Sequence, residues 1–259
     1  MSAFGPKNAL SSVTKRALSS AGYQLRRTVP GDLDDRTRTI IDHVKPYTLT
    51  SPERLAATCD AVRYVTRGDI PGAIVECGVW AGGSMMAAAL TLHEMGDLSR
   101  DLYLFDTFEG MTVPTKEDVD SSGALAAHQL TTASRVADSI WCYASLDQVK
   151  QNFSRVAYPQ ARLHFVKGPV EATLPSSAPE VIAVLRLDTD WYESTRHELK
   201  HLVPRMSPGA VLLIDDYGHW QGARKAVDEW IEGFDRPVLL SRVDYTGRMA
   251  VIPASASSL

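Results

Sequence analysis

The chain has 259 residues, 44% hydrophobic and 22% charged, enough to bury a sizeable core as one elaborated domain. Its 27 basic residues face 31 acidic ones, and a net charge of −4 argues against a nucleic-acid binder that works by phosphate neutralisation. No run approaches the ~18 apolar residues of a membrane span. Three cysteines (Cys59, Cys77, Cys142) without C-x-x-C spacing fit a reducing cytoplasm better than disulfides or structural zinc.

Residues 1–31 contain no acid but carry Lys7, Lys15, Arg16, Arg26, Arg27 and five serines. No apolar core of a secretory signal follows, so the segment reads as a mobile or partner-dependent basic arm, with a detachable targeting peptide as the alternative. A helix is expected from Asp34, carried by Ile40, Ile41 and Val44 and stopped at Pro46. After the polar loop 46–50, Ser51 caps a second helix, with Pro52 at its first position and Glu53 in its first turn. Leu55, Thr58, Cys59, Val62 and Val65 follow at helical spacing, and Gly68 closes it.

Five short apolar runs then predict strands at 73–77, 102–106, 162–166, 181–187 and 210–215. Helical stretches separate them, one running to about His93, and residues 228–234 end another helix after the fifth strand. Such runs imply a parallel sheet covered on both faces. Residues 237–241 and 249–252 read as a closing antiparallel hairpin. The expected architecture is a doubly wound, mostly parallel, Rossmann-like α/β sheet. It spans 69–253, with an N-terminal helical addition at 32–68 and a flexible tail at 254–259. Residues 108–139 show little strand pattern, although connections usually run about 4–6 residues. They are expected to form an active-site lid, with a disordered insertion as the alternative.

Four strands end at their carboxyl edge in an acid: Glu76, Asp106, Asp188 and Asp215. Ligands of open α/β sheets bind outside those ends, at the point where strand order reverses, and buried carboxylates gathered there call for hydrogen-bonding ligands or a cation. In segment 75–84 (VECGVWAGGS), Gly78, Gly82 and Gly83 let backbone approach a ligand at the next helix N-terminus. The spacing misses the dinucleotide pattern G-x-G-x-x-G. An acid before the turn suits a ligand carrying an ammonium and a carboxylate, and Asp106 is placed for two ribose hydroxyls. Together these features favour S-adenosylmethionine (SAM).

The second cluster joins segment 185–193 (LRLDTDWYE) to 214–219 (IDDYGH). Asp188 and Asp190 are two apart, so an extended backbone would point both to one face. Asp215 and Asp216 end the neighbouring strand. Such an all-oxygen set favours Mg²⁺, then Mn²⁺ or Ca²⁺, over zinc. Any single aspartate could instead cap a helix or pair with Arg186 or Arg196. A metal on a substrate hydroxyl would lower its pKa, and Asp190 would accept the proton, with His219 as an alternative base or a substrate contact. His197 and His201 share a helix face but lack a metalloprotease pattern, and are expected to face solvent.

Six blocks in order carry a family resemblance: 46–50 (PYTLT), 74–84 (IVECGVWAGGS), 105–111 (FDTFEGM), 167–175 (KGPVEATLP), 187–195 (LDTDWYEST) and 214–223 (IDDYGHWQGA). Over about residues 34–235 the chain resembles the macrocin O-methyltransferases of the TylF/MycF/NovP type. The resemblance implies SAM- and Mg²⁺-dependent methylation of a hydroxyl, commonly on a deoxysugar, in bacterial natural-product biosynthesis. It implies Asp188, Asp215 and Asp216 as metal ligands and Asp190 as base. The expected cofactor contacts are Thr48, Leu49, Glu76, Gly78, Gly82, Ser84, Asp106, Phe108 and Gly168, with Tyr192 and His219 toward the acceptor. It also implies a homo-oligomer, dimer or tetramer, whose N-terminal segments help close a neighbour's site. A metal-dependent glycosyltransferase using the Asp188/Asp190 pair is a rival that leaves the Glu76 turn unexplained. A D-x-D phosphatase and a non-enzymatic scaffold fit less well, and a phenolic or catechol acceptor is the alternative to a glycoside or nucleotide-activated sugar.

Overall fold

A computed structural model describes residues 30–133 and 141–253. The basic arm, apart from Pro30 and Gly31, and the tail at 254–259 lie outside the described residues. Helix α1 (Asp35–Val44) starts where the Asp34 carboxylate accepts from the Arg36 and Thr37 amides, at 2.9 and 3.0 Å. A 3-10 turn containing Pro46 (Lys45–Tyr47) ends it. Helix α2 (Pro52–Arg67) begins at Ser51, whose hydroxyl accepts from the Arg54 amide at 3.2 Å, and stops at Gly68. Both start signals are those expected of an N-cap residue.

The core follows as β1 (Ala73–Cys77), α3 (Gly83–Met95), β2 (Leu102–Asp106), α4 (Ala126–Thr132), α5 (Leu146–Phe153) and β3 (Leu163–Lys167). Then come α6 (Val170–Thr173), β4 (Ile182–Leu187), α7 (Tyr192–Leu202), β5 (Met206–Ile214), α8 (Gln221–Gly233), β6 (Ser241–Arg242) and β7 (Arg248–Val251). The strands form one sheet ordered β3-β2-β1-β4-β5-β7-β6. β1 to β5 are parallel, while β7 runs antiparallel to both β5 and β6. The chain leaves β1 toward β2 on one side and returns as β4 on the other, so the switch point lies between the ends of β1 and β4.

β1 and β4 are buried at every residue, because helices cover both faces. Alternation along the strands divides the core. Ile74, Leu104, Val184 and Leu213 meet the layer built from α1, α2, α3 and α5. Val75, Cys77, Leu185, Leu212 and Ile214 face the α7 and α8 side, with Leu199, Leu202 and Val227. Helix α3 is apolar almost all round, with nine buried residues, because α1 and α2 cover the side away from the sheet. The N-terminal helices are thus part of the core layer.

Three expectations need correction: the bounds of the hairpin, the disordered alternative for the long excursion, and the solvent-facing placement of His197 and His201. The hairpin is shorter than 237–241 with 249–252: Pro237 has no amide to donate, Leu239 is 81% exposed, and pairing begins only at Ser241. The described part of the long excursion is folded. Asp118, fully buried, accepts from the Thr115 amide (2.6 Å) and hydroxyl (2.9 Å) and from the Tyr192 amide (2.7 Å). Ala126 and Leu130 of α4 then pack on Trp191, Trp220 and Ala223. Helix α5 has no counterpart in the hydrophobic pattern; only Val149, Asn152 and Phe153 of its eight residues are buried, too few to establish a period. His197 and His201 are half-buried, rings 4.4 Å apart, rather than solvent-facing.

Gly78 shows how tightly β1 and β4 approach. Its φ is +82°, and a Cβ there would fall on the carbonyl oxygen of Asp188. Gly96 has a similar φ of +76° but nothing within 4 Å. Gly96→Ala should therefore cost only the left-handed backbone penalty, about 1 kcal/mol, while Gly78→Ala should cost at least about 3 kcal/mol or prevent folding. Equal losses in urea unfolding would show that the strand ends have room to part.

Candidate active site

The turn after β1 is held open by its neighbour. One oxygen of Asp106 accepts from the Val79 and Trp80 amides (2.7 and 2.9 Å), and the other accepts from the Phe108 amide (2.6 Å). Burial pushes this carboxyl up from its ordinary range, and the three amides pull against that shift. Gly78, Trp80 and Gly82 all take positive φ, and α3 starts at Gly83 without a side-chain cap, leaving amide donors at its N-terminus. A Cβ on Gly83 would lie 2.5 Å from the Tyr47 carbonyl oxygen, so the loop after α1 rests directly on that helix end.

A cavity of about 540 Å³ opens at the switch point between this turn, the loop 48–50 and the ends of β4 and β5. Of the residues expected at the cofactor, Thr48, Leu49, Gly78, Ser84, Asp106 and Gly168 line it. Asp188, Asp190, Asp215, Asp216 and His219 line it as well. Four expected residues stand elsewhere. Glu76 is 1% exposed behind the wall, paired with Arg186, and its Oε2 is buried without a partner. Gly82 packs beneath Val149 and Phe153, and Phe108 is a core residue with φ +52°. The Tyr192 hydroxyl donates to Glu229 Oε2 at 2.8 Å, and its ring lies 4.9 Å from the Lys225 ammonium.

The aspartates converge, though not through an extended backbone. Asp190 has φ +66°, so the turn 188–190 folds back on itself. The Asp190 amide donates to Asp216 Oδ2 (3.1 Å), and Trp220 Nε1 donates to Asp190 Oδ1 (2.6 Å). Asp188, Asp215 and Asp216 each present an oxygen within 4.8 Å of the others'. Arg186, buried, donates to Glu76, Asp188 and Asp215 and to the Thr50 hydroxyl. Arg54 bonds Asp215 and, through Nε at 3.0 Å, Asp244 of the β6–β7 turn. Arg54 and Asp244 carried no sequence signal for the site, and Trp220, though inside the 214–223 block, was given no role there; their neighbours come only from the fold.

Four carboxyls (Glu76, Asp188, Asp215, Asp244) thus meet two guanidiniums, and Asp190 and Asp216 lie beside them, joined through the Asp190 amide. Burial raises Glu76 to about 8 against the pull of Arg186. Burial, then the Asp188 charge, raises Asp190 to about 7. Asp216 is pushed well above the usual range by burial and by Asp190. Further positive charge would relieve this set, and an array of hard oxygens fits a divalent cation such as Mg²⁺. Among the described residues no helix is long and apolar enough to cross a membrane.

The sequence model of the Macrocin-O-methyltransferase (TylF) family matches residues 2–249. The 8-demethyl-8-(2,3-dimethoxy-alpha-L-rhamnosyl)-tetracenomycin-C 4'-O-methyltransferase of Streptomyces olivaceus is 34% identical over 203 residues, 78% of this chain and 74% of that one. The mycinamicin III 3''-O-methyltransferase of Micromonospora griseorubida is 32% identical over 184 residues, 71% of this chain and 70% of the other. The structure of the O-methyltransferase NovP superposes with a TM-score of 0.70 at 27% identity, covering 80% of this chain and 83% of its own. With a glycine turn and an aspartate cluster at the switch point of this sheet, and a family match over nearly its whole length, the chain belongs to the macrocin O-methyltransferase (TylF) family.

Proposed function

We propose that the enzyme transfers the methyl group of SAM to a hydroxyl of a sugar-containing acceptor in antibiotic-type biosynthesis, with Mg²⁺ at the aspartate cluster. The observation that carries this reading is the meeting of two features in one cavity: the glycine turn beside Asp106 and the oxygens of Asp188, Asp215 and Asp216. The rhamnosyl acceptor in the name of the tetracenomycin relative supports a sugar, either glycoside or nucleotide-activated. The D-x-D glycosyltransferase reading gives way to methyl transfer, the chemistry of the family.

When bound, SAM would supply the methyl group and Mg²⁺ would acidify the acceptor hydroxyl. The chain's own residues do the rest. Asp188, Asp215 and Asp216 would hold the cation, with Arg186 keeping Asp188 and Asp215 oriented from behind. Asp190 would take the hydroxyl proton, its carboxylate aimed by Trp220 Nε1. Asp106 keeps the glycine turn in shape, and the uncapped N-terminus of α3 offers amides to an anionic group. The unpartnered Glu76 Oε2 is the acceptor best suited to an ammonium reaching through the wall. His219 remains on the cavity rim for acceptor contact. We extend the proposal to a cytoplasmic homo-oligomer, in keeping with three free cysteines, Cys59 and Cys77 among them buried.

Calorimetry with S-adenosylhomocysteine (SAH) should give micromolar binding, and methyl transfer to deoxysugar glycosides or nucleotide deoxysugars should stop in EDTA and return with Mg²⁺. Full turnover in EDTA would remove the metal from the reaction; exclusive turnover of catechols would replace the sugar. Asp190→Asn should bind SAH as the wild type does while turnover falls about 10²–10⁴-fold, the usual range for a lost general base. Wild-type turnover in that variant would transfer the base role to another group. Asp216→Ala should lose Mg²⁺ binding and activity together, and loss of activity with metal affinity intact would take Asp216 out of the ligand set.

A further inference from the structure

Helix α7 carries one fully buried ionisable side chain, Glu198, at 0% exposure. Its Oε1 accepts from the Thr189 hydroxyl at 2.9 Å, and its Oε2 is buried without a hydrogen-bond partner. The thiol of Cys77, at the end of β1, lies against the same carboxyl. Burial holds Glu198 well above the usual carboxylate range. A half-satisfied buried carboxyl costs stability compared with an apolar side chain of similar size. Packing therefore gives no reason for it.

Its one short bond leads to the site. Thr189 separates Asp188 from Asp190, the proposed metal ligand from the proposed base. On the sheet side, the turn hangs from β1 through the Asp188 amide donating to the Cys77 carbonyl at 2.9 Å. On the helix side, the Thr189 carbonyl accepts from the Trp191 amide at 2.8 Å. The Thr189 side chain anchors the middle of the turn to α7, and the left-handed Asp190 directly follows it.

We propose that Glu198 is a positioning residue: through Thr189 it fixes the turn that sets Asp188 against Asp216 and Asp190 toward the acceptor. It touches neither cofactor nor substrate. The inference rests on the metal-assisted reading above, and an amide at 198, which keeps an acceptor oxygen for the Thr189 hydroxyl, serves it equally well.

Two variants separate positioning from packing. Glu198→Met keeps volume and removes the acceptor; Glu198→Gln keeps an acceptor oxygen. Glu198→Met should unfold at a temperature no lower than the wild type, yet lose about 10–100-fold in both kcat and Mg²⁺ affinity, with SAH affinity unchanged. Glu198→Gln should restore both. If Glu198→Met fails to fold, Thr189→Val cuts the same bond from the other end and should show the same paired losses. Wild-type kcat and Mg²⁺ affinity in Glu198→Met or Thr189→Val would overturn the proposal, as would a lowered melting temperature with no change in metal affinity. Wild-type protein that binds no Mg²⁺ by calorimetry would instead overturn the metal reading on which it stands.

Discussion

A single buried guanidinium organises the centre of this molecule. Arg186 lies on β4 between β1 and β5, 3% exposed, and its donors reach Glu76, Asp188 and Asp215 on three adjacent strand ends. A charge so placed is tolerable only with all its partners, since breaking a buried pair generally costs about 3–5 kcal/mol through the charge left alone. Arginine suits the position because its planar fork serves several carboxylates at once and stays charged at any working pH. The rest of the site is arranged around that requirement: Asp215 is shared with Arg54, and Arg54 is shared with Asp244.

The peripheral elements follow the same logic. Helices α1 and α2 seal the apolar face of α3, and in doing so they bring the loop 48–50 to the cavity and Arg54 to Asp215. The excursion after β2 is tied down by Asp118, which reaches the first amide of α7, and by Trp191 and Trp220, rings 5.0 Å apart. Trp220 belongs to both systems, packing the excursion with its ring and aiming Asp190 with its indole nitrogen.

Local signals proved readable and distant ones did not. The helix start at Asp34, the cap at Ser51, five strand cores and the acids at strand ends all rest on spacing or on a turn chemistry within a few residues, and the parallel pairing of the sheet follows from the alternation of strands and helices. The convergence of Asp188, Asp215 and Asp216 was legible because strand ends of a doubly wound sheet meet at the switch point. The way Asp190 joins them was not, because a left-handed aspartate has no sequence mark. Arg54 and Asp244 find each other across 190 residues, and no periodicity encodes such a pair. Glu76 was legible as a strand-end acid but not as one behind the wall, paired there with Arg186 of another strand.

That long-range pair has a consequence for how the protein is made. Ser51 and Arg54 both bond Asp244, while Arg54 bonds Asp215 across 161 residues. Chains emerge from the ribosome amino end first, and contacts spanning most of a sequence close late and slowly. The nascent chain can lay down α1 to α3 and the central strands while Arg54 still lacks its second carboxylate. Only when the turn at 244 has emerged are the counter-charges of the cavity complete, so acquisition of function should trail the bulk of folding and coincide with the docking of the final hairpin.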